Sequence, residues 1–340
     1  MGILDWLFTK PDEASGSAVD AAVIDQRIQQ VLRIVNPRLK LVAGYHRKLA
    51  PAVVRAVLYC REIEAQIPPA IEASSTAWSD SPLLRALFVG APDVPALFSR
   101  SVAVQDFFAA SAGAEEVWAT LRFHVRQREV FGVAVDGDIV RHDVAQTTIS
   151  FSDKKVVLPS GSERDARLEI RRRAFKFLVT EVLEQIAAAD LQRKDLAEQR
   201  SMLGTRLRIL KSQSSGLEAM LDENGGTRQQ IENVERQLAE NERALAAFPS
   251  AGETLENVIW RIREVLTHAA DYLRIRTVAL RLDPFNVALP EGSGEAAVEL
   301  ALPTVVVQRA PEVQLVACRF PRCELIDRSS LLDEARRRLG

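Results

Sequence analysis

Cysteine is scarce in this chain, with Cys60, Cys318 and Cys323 the three among 340 residues. A low and odd count argues against a disulfide scaffold and favours a reducing compartment. Tyrosine and tryptophan number 3 and 4, which weakens a prediction of base stacking on nucleic acid. No run of about 18 apolar residues occurs, so the sequence predicts no transmembrane helix. We expect a cytoplasmic protein, with a peripheral position at the membrane as the alternative.

The sequence also lacks an excess of charge of either sign. Lys and Arg total 44 and Asp and Glu total 46, which gives a formal net charge of −2. A strongly cationic nucleic-acid binder is thereby excluded, so contact with nucleic acid or an anionic membrane would need a local basic patch.

Sequence motifs for catalysis are absent as well. The chain has no phosphate-binding loop, dinucleotide fingerprint, nucleophile elbow or zinc-protease motif. Its four histidines have no second His or Cys at metal-ligand spacing. The sequence therefore predicts no catalytic, cofactor-binding or metal-binding residues.

A seven-residue apolar repeat is the strongest pattern present, and it runs through residues 163–248. This spacing is typical of a coiled coil. Gly225 and Gly226 interrupt the repeat, and basic residues exceed acidic ones before the break while acidic residues exceed basic ones after it. Arms of opposite sign favour an antiparallel helical hairpin. The predicted seam consists of Phe175, Val182, Ala189, Leu196, Leu203, Leu210, Leu217, Ile231, Val234, Leu238 and Leu245.

The remaining segments predict an α+β fold with this hairpin inserted between two β segments. Residues 20–117 show helical periodicity, and residues 118–162 alternate as a β-meander with turns at Asp136-Gly137 and Ser152-Asp153. Residues 249–340 combine a helix with further strands. We expect the two β segments to share one body, the alternative being two separate small β domains.

The N-terminus, residues 1–19, is predicted to be an apolar tip on a flexible tether. We expect this tip to dock in the groove of a protein partner, and the alternatives are packing on the body or lying in a membrane interface. Its apolar residues are Ile3, Leu4, Trp6, Leu7 and Phe8.

A second candidate site is the basic collar, a group of cations where the first arm of the hairpin begins. Such a group either contacts phosphates of nucleic acid or anionic lipid, or is a solvated face paired with acids of the chain. The basic collar consists of Arg164, Arg167, Arg171, Arg172, Arg173 and Lys176.

These patterns favour a non-enzymatic scaffold or adaptor that binds proteins through the coiled-coil arm and the N-terminal tip. One alternative is an anion-binding protein that uses the basic collar at 164–176. The other is an enzyme with no local motif. The oligomeric state stays open, because a hairpin satisfies only part of the seam and the leftover helix could dimerise.

Overall fold

The computed structural model describes residues 19–136, 139–214, 226–247, 254–290 and 297–327. The predicted apolar tip, Leu217 and the last residues of the chain lie outside this range. Two compact units divide the chain. The first unit contains the residues up to Arg55 and residues Phe177–Thr267, and the second contains Ala56–Lys176 and the residues from His268 onward.

Helices and one sheet confirm the predicted α+β class. The helices are α1 (Ala21–Val35), α2 (Tyr45–Ala65), α3 (Ser75–Asp80), α4 (Pro82–Leu87), α5 (Asp93–Arg100), α6 (Val102–Ala110), α7 (Glu163–Ser214), α8 (Gly226–Ala246), α9 (Leu255–Thr267) and α10 (Ala269–Tyr272). The strands are β1 (Ile71–Glu72), β2 (Glu116–Asp136), β3 (Ile139–Ser160), β4 (Leu273–Leu282), β5 (Val298–Val307) and β6 (Ala310–Pro321).

Capping side chains set the limits of the first helices in the first unit. The Asp20 carboxylate accepts a hydrogen bond from the Ala22 amide and starts α1. Asn36 ends α1 and caps a 3-10 turn at Pro37–Leu41, where proline occupies the first position. The apolar stripes of α1 and α9 are buried, and they consist of Ile24, Ile28, Val31, Leu32, Val258, Ile259, Ile262, Val265 and Leu266.

Helices α7 and α8 form the predicted helical hairpin. Lys211 pairs with Glu235 at 2.8 Å, and Arg200 pairs with Glu242 at 3.2 Å. A residue further along α7 pairs with a residue earlier on α8, so the two helices are antiparallel. With 52 residues, α7 is about 78 Å long at 1.5 Å per residue.

The β segments on either side of this hairpin belong to one sheet in the second unit. Among the described residues it has six strands, in the order β3-β2-β6-β5-β4, with β1 added in parallel to β6. The antiparallel pairing of β2 with β6 joins the two segments. Thr148 of β3 bridges to Val287 and Leu282 of β4 bridges to Ala288, so a short stretch after β4 links the two outer strands.

Three β-bulges on β3 correct one prediction from the sequence. Ser152-Asp153 is not a hairpin turn, because β2 pairs with β3 on both sides of it, at His124 with Ser152 and at Arg122 with Lys155. β3 has one more residue than β2 in this interval, and Asp153 absorbs it with φ of 54°. The other two bulges occur near Leu158 and Asp143, which also have positive φ.

The bulge at Asp153 keeps apolar side chains on the inner face of the sheet. Phe151 and Val156 are five positions apart, and a regular strand would place them on opposite faces. With the extra residue both are buried. They belong to a core in which helices α4, α5 and α6 cover the inner face of the sheet, and its fully buried residues include Leu84, Phe98, Val104, Leu121, Phe123 and Phe320.

Candidate functional site

The predicted seam residues are among the less exposed positions of α7 and α8. Leu210 and Val234 are buried, as are Phe175 and Val182 nearer the start of α7. The intermediate positions of the seam are half-buried: Ala189, Leu196, Leu203, Ile231, Leu238 and Leu245. Leu217 lies outside the described residues.

Beside the seam, the hairpin has an open groove between α7 and α8. One part of this groove has a volume of about 500 Å³ and is lined by Met202, Leu203 and Ala244 among others. The adjoining part has a volume of about 540 Å³ and extends along Met202 to Ile209. Met202 is 65% exposed and Ile209 is 54% exposed. We call this surface the hairpin groove.

Asn241 is a buried polar residue in the lining of the hairpin groove. Its residue surface is 7% exposed, and its Nδ2 donates to Gln199 Oε1 at 3.4 Å. Its Oδ1 is buried and accepts no hydrogen bond from the described residues. An unsatisfied buried acceptor costs about 1–3 kcal/mol. The apolar repeat places Asn241 near the seam, but only the structure shows that its acceptor has no partner.

Two arginines of the basic collar bind a buried carboxylate within the second unit. Glu64 Oε1 accepts from Arg167 Nη1 at 2.8 Å, and Glu64 Oε2 accepts from Arg171 Nε at 2.9 Å and from Arg171 Nη2 at 2.5 Å. The Glu64 side chain is only 7% exposed. Arg167 also donates to the carbonyl oxygens of Ile67 and Pro68. These contacts attach the start of α7 to the end of α2.

The titration of Glu64 reflects these contacts. Burial raises the pKa of Glu64, but the hydrogen bonds from Arg167 and Arg171 outweigh burial and hold the pKa below its ordinary value. The hydrogen bond with Glu64 raises the pKa of Arg167. Glu64 therefore stays ionised, and the charges of the two arginines are largely compensated inside the fold.

The other collar residues lie at the surface. Arg172 and Arg173 pair with Glu169 at 3.6 and 2.9 Å through exposed side chains, which is a weak kind of ion pair. Arg164 and Lys176 are exposed. The six cations are thus split between internal support and a solvated helix face. Sequence reasoning missed Glu64, because it lies about 100 positions before its partners and has no local signal.

Several other titratable side chains have contacts that stabilise the fold. Burial raises the pKa of Tyr59, whose hydroxyl donates to the Leu273 carbonyl at 2.6 Å. Burial also raises the pKa of the Cys318 thiol to about 12, so it does not form a reactive thiolate at neutral pH. His46 Nε2 contacts the Asp25 carboxylate at the surface of the first unit. In the part of the chain that the structure describes, no cluster of three His, Cys, Asp or Glu side chains is arranged to hold a metal ion.

Comparison with known proteins gives no family assignment. The chain matches no protein-family model, and neither a curated protein nor a solved structure is similar to it. None of the helices in the described ranges combines the length and the apolar character that crossing a membrane requires.

Proposed function

We propose that this chain is a non-enzymatic scaffold or adaptor protein whose α7–α8 hairpin pairs with the hairpin of a second copy. The observation that carries this proposal is the unsatisfied Oδ1 of Asn241, buried in the lining of the hairpin groove. The low cysteine count supports action in a reducing compartment such as the cytoplasm.

Apolar surface in the hairpin groove supports a helical partner. Met202 and Ile209 are seven residues apart and therefore lie close to one line on α7. Exposed side chains at this spacing form the kind of stripe against which another helix packs. The heptad seam supports the finer prediction that the arms pack as a coiled coil, in which further helices join by the same side-chain interlocking.

The polar groups of the hairpin groove favour a second copy over an unrelated helix. An asparagine amide carries both a donor and an acceptor, so two copies of Asn241 can bond to each other across a two-fold axis. A single asparagine at such a position specifies partner and register in coiled coils. Oδ1 is inaccessible in the single chain, so pairing with a second copy requires the Asn241 amide to turn toward the hairpin groove that it lines. The bond formed there would satisfy Oδ1 and fix the alignment of the two hairpins.

The hairpin groove also carries one charged residue of each sign that could pair with the opposite charge on a second copy. Arg206 lines the α7 wall and Glu240 lines the α8 wall, and the described residues supply neither of them with an ion-pair partner. In a two-fold arrangement an arginine on one hairpin meets a glutamate on the other and the reverse. The adaptor role of Ile3, Leu4, Trp6, Leu7 and Phe8 is a separate prediction, since they lie outside the described residues.

The test measures the mass of the full-length chain by analytical ultracentrifugation between 1 and 100 µM. We expect a concentration-dependent dimer for the parent chain. The double variant Met202→Glu/Ile209→Glu should be monomeric, because it places two carboxylates in the apolar groove. Its melting temperature should change little, because both side chains are exposed in the monomer.

A matched control carries the same charge change on exposed positions that face away from the hairpin groove. Ala197→Glu/Ala239→Glu adds two carboxylates to the same two helices, at exposed residues, and should dimerise as the parent does. A parent chain that stays monomeric at 100 µM contradicts the proposal. Equal loss of dimer in the groove variant and the control also contradicts it, because the effect would then be one of net charge.

A further inference from the structure

The strands β2 and β3 stay paired beyond the point where β6 leaves β2, and opposite Arg128 the outer edge of β3 bridges to Val287. Pairing of β2 with β6 ends at Phe123, opposite Gln314, whereas pairing with β3 continues to Asp136. The extra residues of all three bulges fall on β3, so alternation along β2 is unbroken over this distance. Every second residue of β2 from Arg122 onward therefore belongs to the same face of the sheet.

Cations occupy that face in a row. Arg122, Arg126 and Arg128 lie on this face of β2, with His124 between the first two, and the fourth cation, Lys155, lies opposite Arg122 on β3. Residues directly opposite each other in an antiparallel pair share a face. The row from Arg122 to Arg128 spans six positions, or about 20 Å at 3.4 Å per residue. We call these four residues the arginine face.

Few acids balance the arginine face. Arg126 donates to Asp153 at 3.2 Å, and both side chains are more than half exposed, so this pair is weak and screened by salt. Arg122, Arg128 and Lys155 form no ion pair among the described residues. The other residues that face Arg126 and Arg128 are Ser150 and Thr148, which carry hydroxyls. The surface is thus a narrow cationic strip beside neutral polar groups.

The difference from the basic collar decides where an anion would bind. In the collar, Arg167 and Arg171 both pair with the buried Glu64, and Arg167 also pairs with Glu163. Arg172 and Arg173 share Glu169. On the arginine face, one carboxylate serves four cations. A polyanion that binds the arginine face would break one exposed ion pair, Arg126 with Asp153. A polyanion that binds the basic collar would have to compete with carboxylates that the fold holds in place.

We propose that the arginine face binds the phosphate backbone of duplex nucleic acid without regard to base sequence. Each strand of a duplex carries a phosphate every 3.4 Å along the axis, so a 20 Å row of cations meets several of them. Beyond Trp118 this face of β2 carries no Phe, Tyr or Trp up to Arg128, and its one ring, the His124 imidazole, is hydrogen-bonded to the Glu312 carbonyl. Base stacking relies on exposed aromatic rings, so the face favours contact with the phosphate backbone.

A bilayer surface suits this face less well than a duplex does. Insertion into a membrane interface needs apolar side chains beside the cations. The exposed Phe131 is odd-numbered and pairs with Ala145, so it lies on the other face of β2 from Arg126 and Arg128. The cations and this aromatic ring therefore cannot meet one flat surface together.

The test measures binding of a fluorescent 20-base-pair duplex of arbitrary sequence by anisotropy, from 25 to 200 mM salt. The variant Arg122→Gln/Arg126→Gln/Arg128→Gln should lose at least tenfold in affinity at 50 mM salt. The slope of log K against log salt should fall by about 2 to 3, because roughly one phosphate contact is lost per arginine. Arg122→Lys/Arg126→Lys/Arg128→Lys, which keeps the charge, should bind within about threefold of the parent.

The matched control removes the same charge from the basic collar. Arg164→Gln/Arg172→Gln/Arg173→Gln should bind the duplex within twofold of the parent. Equal loss in this control, or no binding by the parent at 25 mM salt, overturns the proposal. Tighter binding to phosphatidylserine vesicles than to duplex at equal phosphate also overturns it. If the glutamine variant fails to fold, Lys155→Gln alone should still reduce affinity two- to fourfold, and no reduction counts against the proposal.

Discussion

This protein has two groups of arginines that differ in their surroundings. Arg167 and Arg171 at the start of α7 surround the buried carboxylate of Glu64, whereas Arg122 and Arg128 on β2 have no carboxylate partner among the described residues. The first group is conspicuous in the sequence as a cluster, and the second is spread over alternate positions of a strand. A cluster of arginines in the sequence is therefore a poor guide to which arginines can bind an anionic ligand. That depends on whether the fold places a carboxylate beside them.

The largest expected effect comes from removing the shared carboxylate. Glu64→Gln removes the carboxylate partner of Arg171 and one of the two carboxylate partners of Arg167, which keeps Glu163 at 3.0 Å. We expect a loss of about 3 kcal/mol in unfolding free energy. Chemical denaturation measures it. Arg122→Gln, by comparison, should change stability by less than about 0.5 kcal/mol. Similar values for the two variants would remove the distinction between the two groups of arginines.

Neighbouring residues of the basic collar should differ as well. Arg171 donates twice to Glu64, and its loss should cost about 1–2 kcal/mol because Arg167 still pairs with the carboxylate. Arg172 has an exposed contact with Glu169, so Arg172→Gln should cost less than about 0.5 kcal/mol. Thermal melts of the two single variants check the order, and a reversed order would contradict the role of Glu64.

The pH dependence of stability should show the same pairing. The pKa of Glu64 is lower in the folded chain than in the unfolded chain, so the unfolded state binds the proton more readily. The stabilisation is therefore complete above the unfolded pKa, near 4.5, and is lost as pH falls toward the lower folded value. Denaturation between pH 3 and 6 should give a shallower acid slope for Glu64→Gln than for the parent. Equal slopes would exclude Glu64 as a contributor.

The smallest expected effect concerns the one acid on the arginine face. Asp153→Asn releases Arg126 from its ion pair, and asparagine tolerates the positive φ at this position. Stability should change by less than about 0.5 kcal/mol, while duplex affinity at 50 mM salt should rise about two- to threefold. Unchanged or weaker duplex binding by this variant would contradict a role for Arg126 in the contact.

Local periodicity explains which parts of the fold are predictable from the sequence. The hairpin follows from the seven-residue repeat, because α-helical contacts lie within a few residues of each other. Ser152-Asp153 was misassigned because a bulge and a turn draw on the same residue types. The pairing of β2 with β6 joins residues about 200 positions apart, and the contact of Glu64 with Arg167 joins residues about 100 apart. Alternation along a strand does not identify either partner.

The candidate sites divide in the same way. Asn241 belongs to the apolar repeat of α8, but its unsatisfied Oδ1 depends on the positions of side chains on two helices. Arg122, Arg126 and Arg128 are separated by even numbers of positions in the sequence, but they share one face because the extra residues of the three bulges all fall on β3 and leave β2 regular. A sequence shows which residues a site can draw on, whereas tertiary structure decides which of them remain unpaired.

The bulge at Asp153 has a consequence for how this segment tolerates insertions and deletions. A one-residue deletion at positions 153–154 would restore simple alternation between Phe151 and the residues that follow. Val156 would then lie four positions after Phe151 and stay on the core face, and Lys155 would stay on the outer face. Loss of the bulge at unchanged length would instead turn Lys155 toward the core and Val156 toward solvent. The division between core and solvent faces therefore constrains the number of residues in β3 as well as their types.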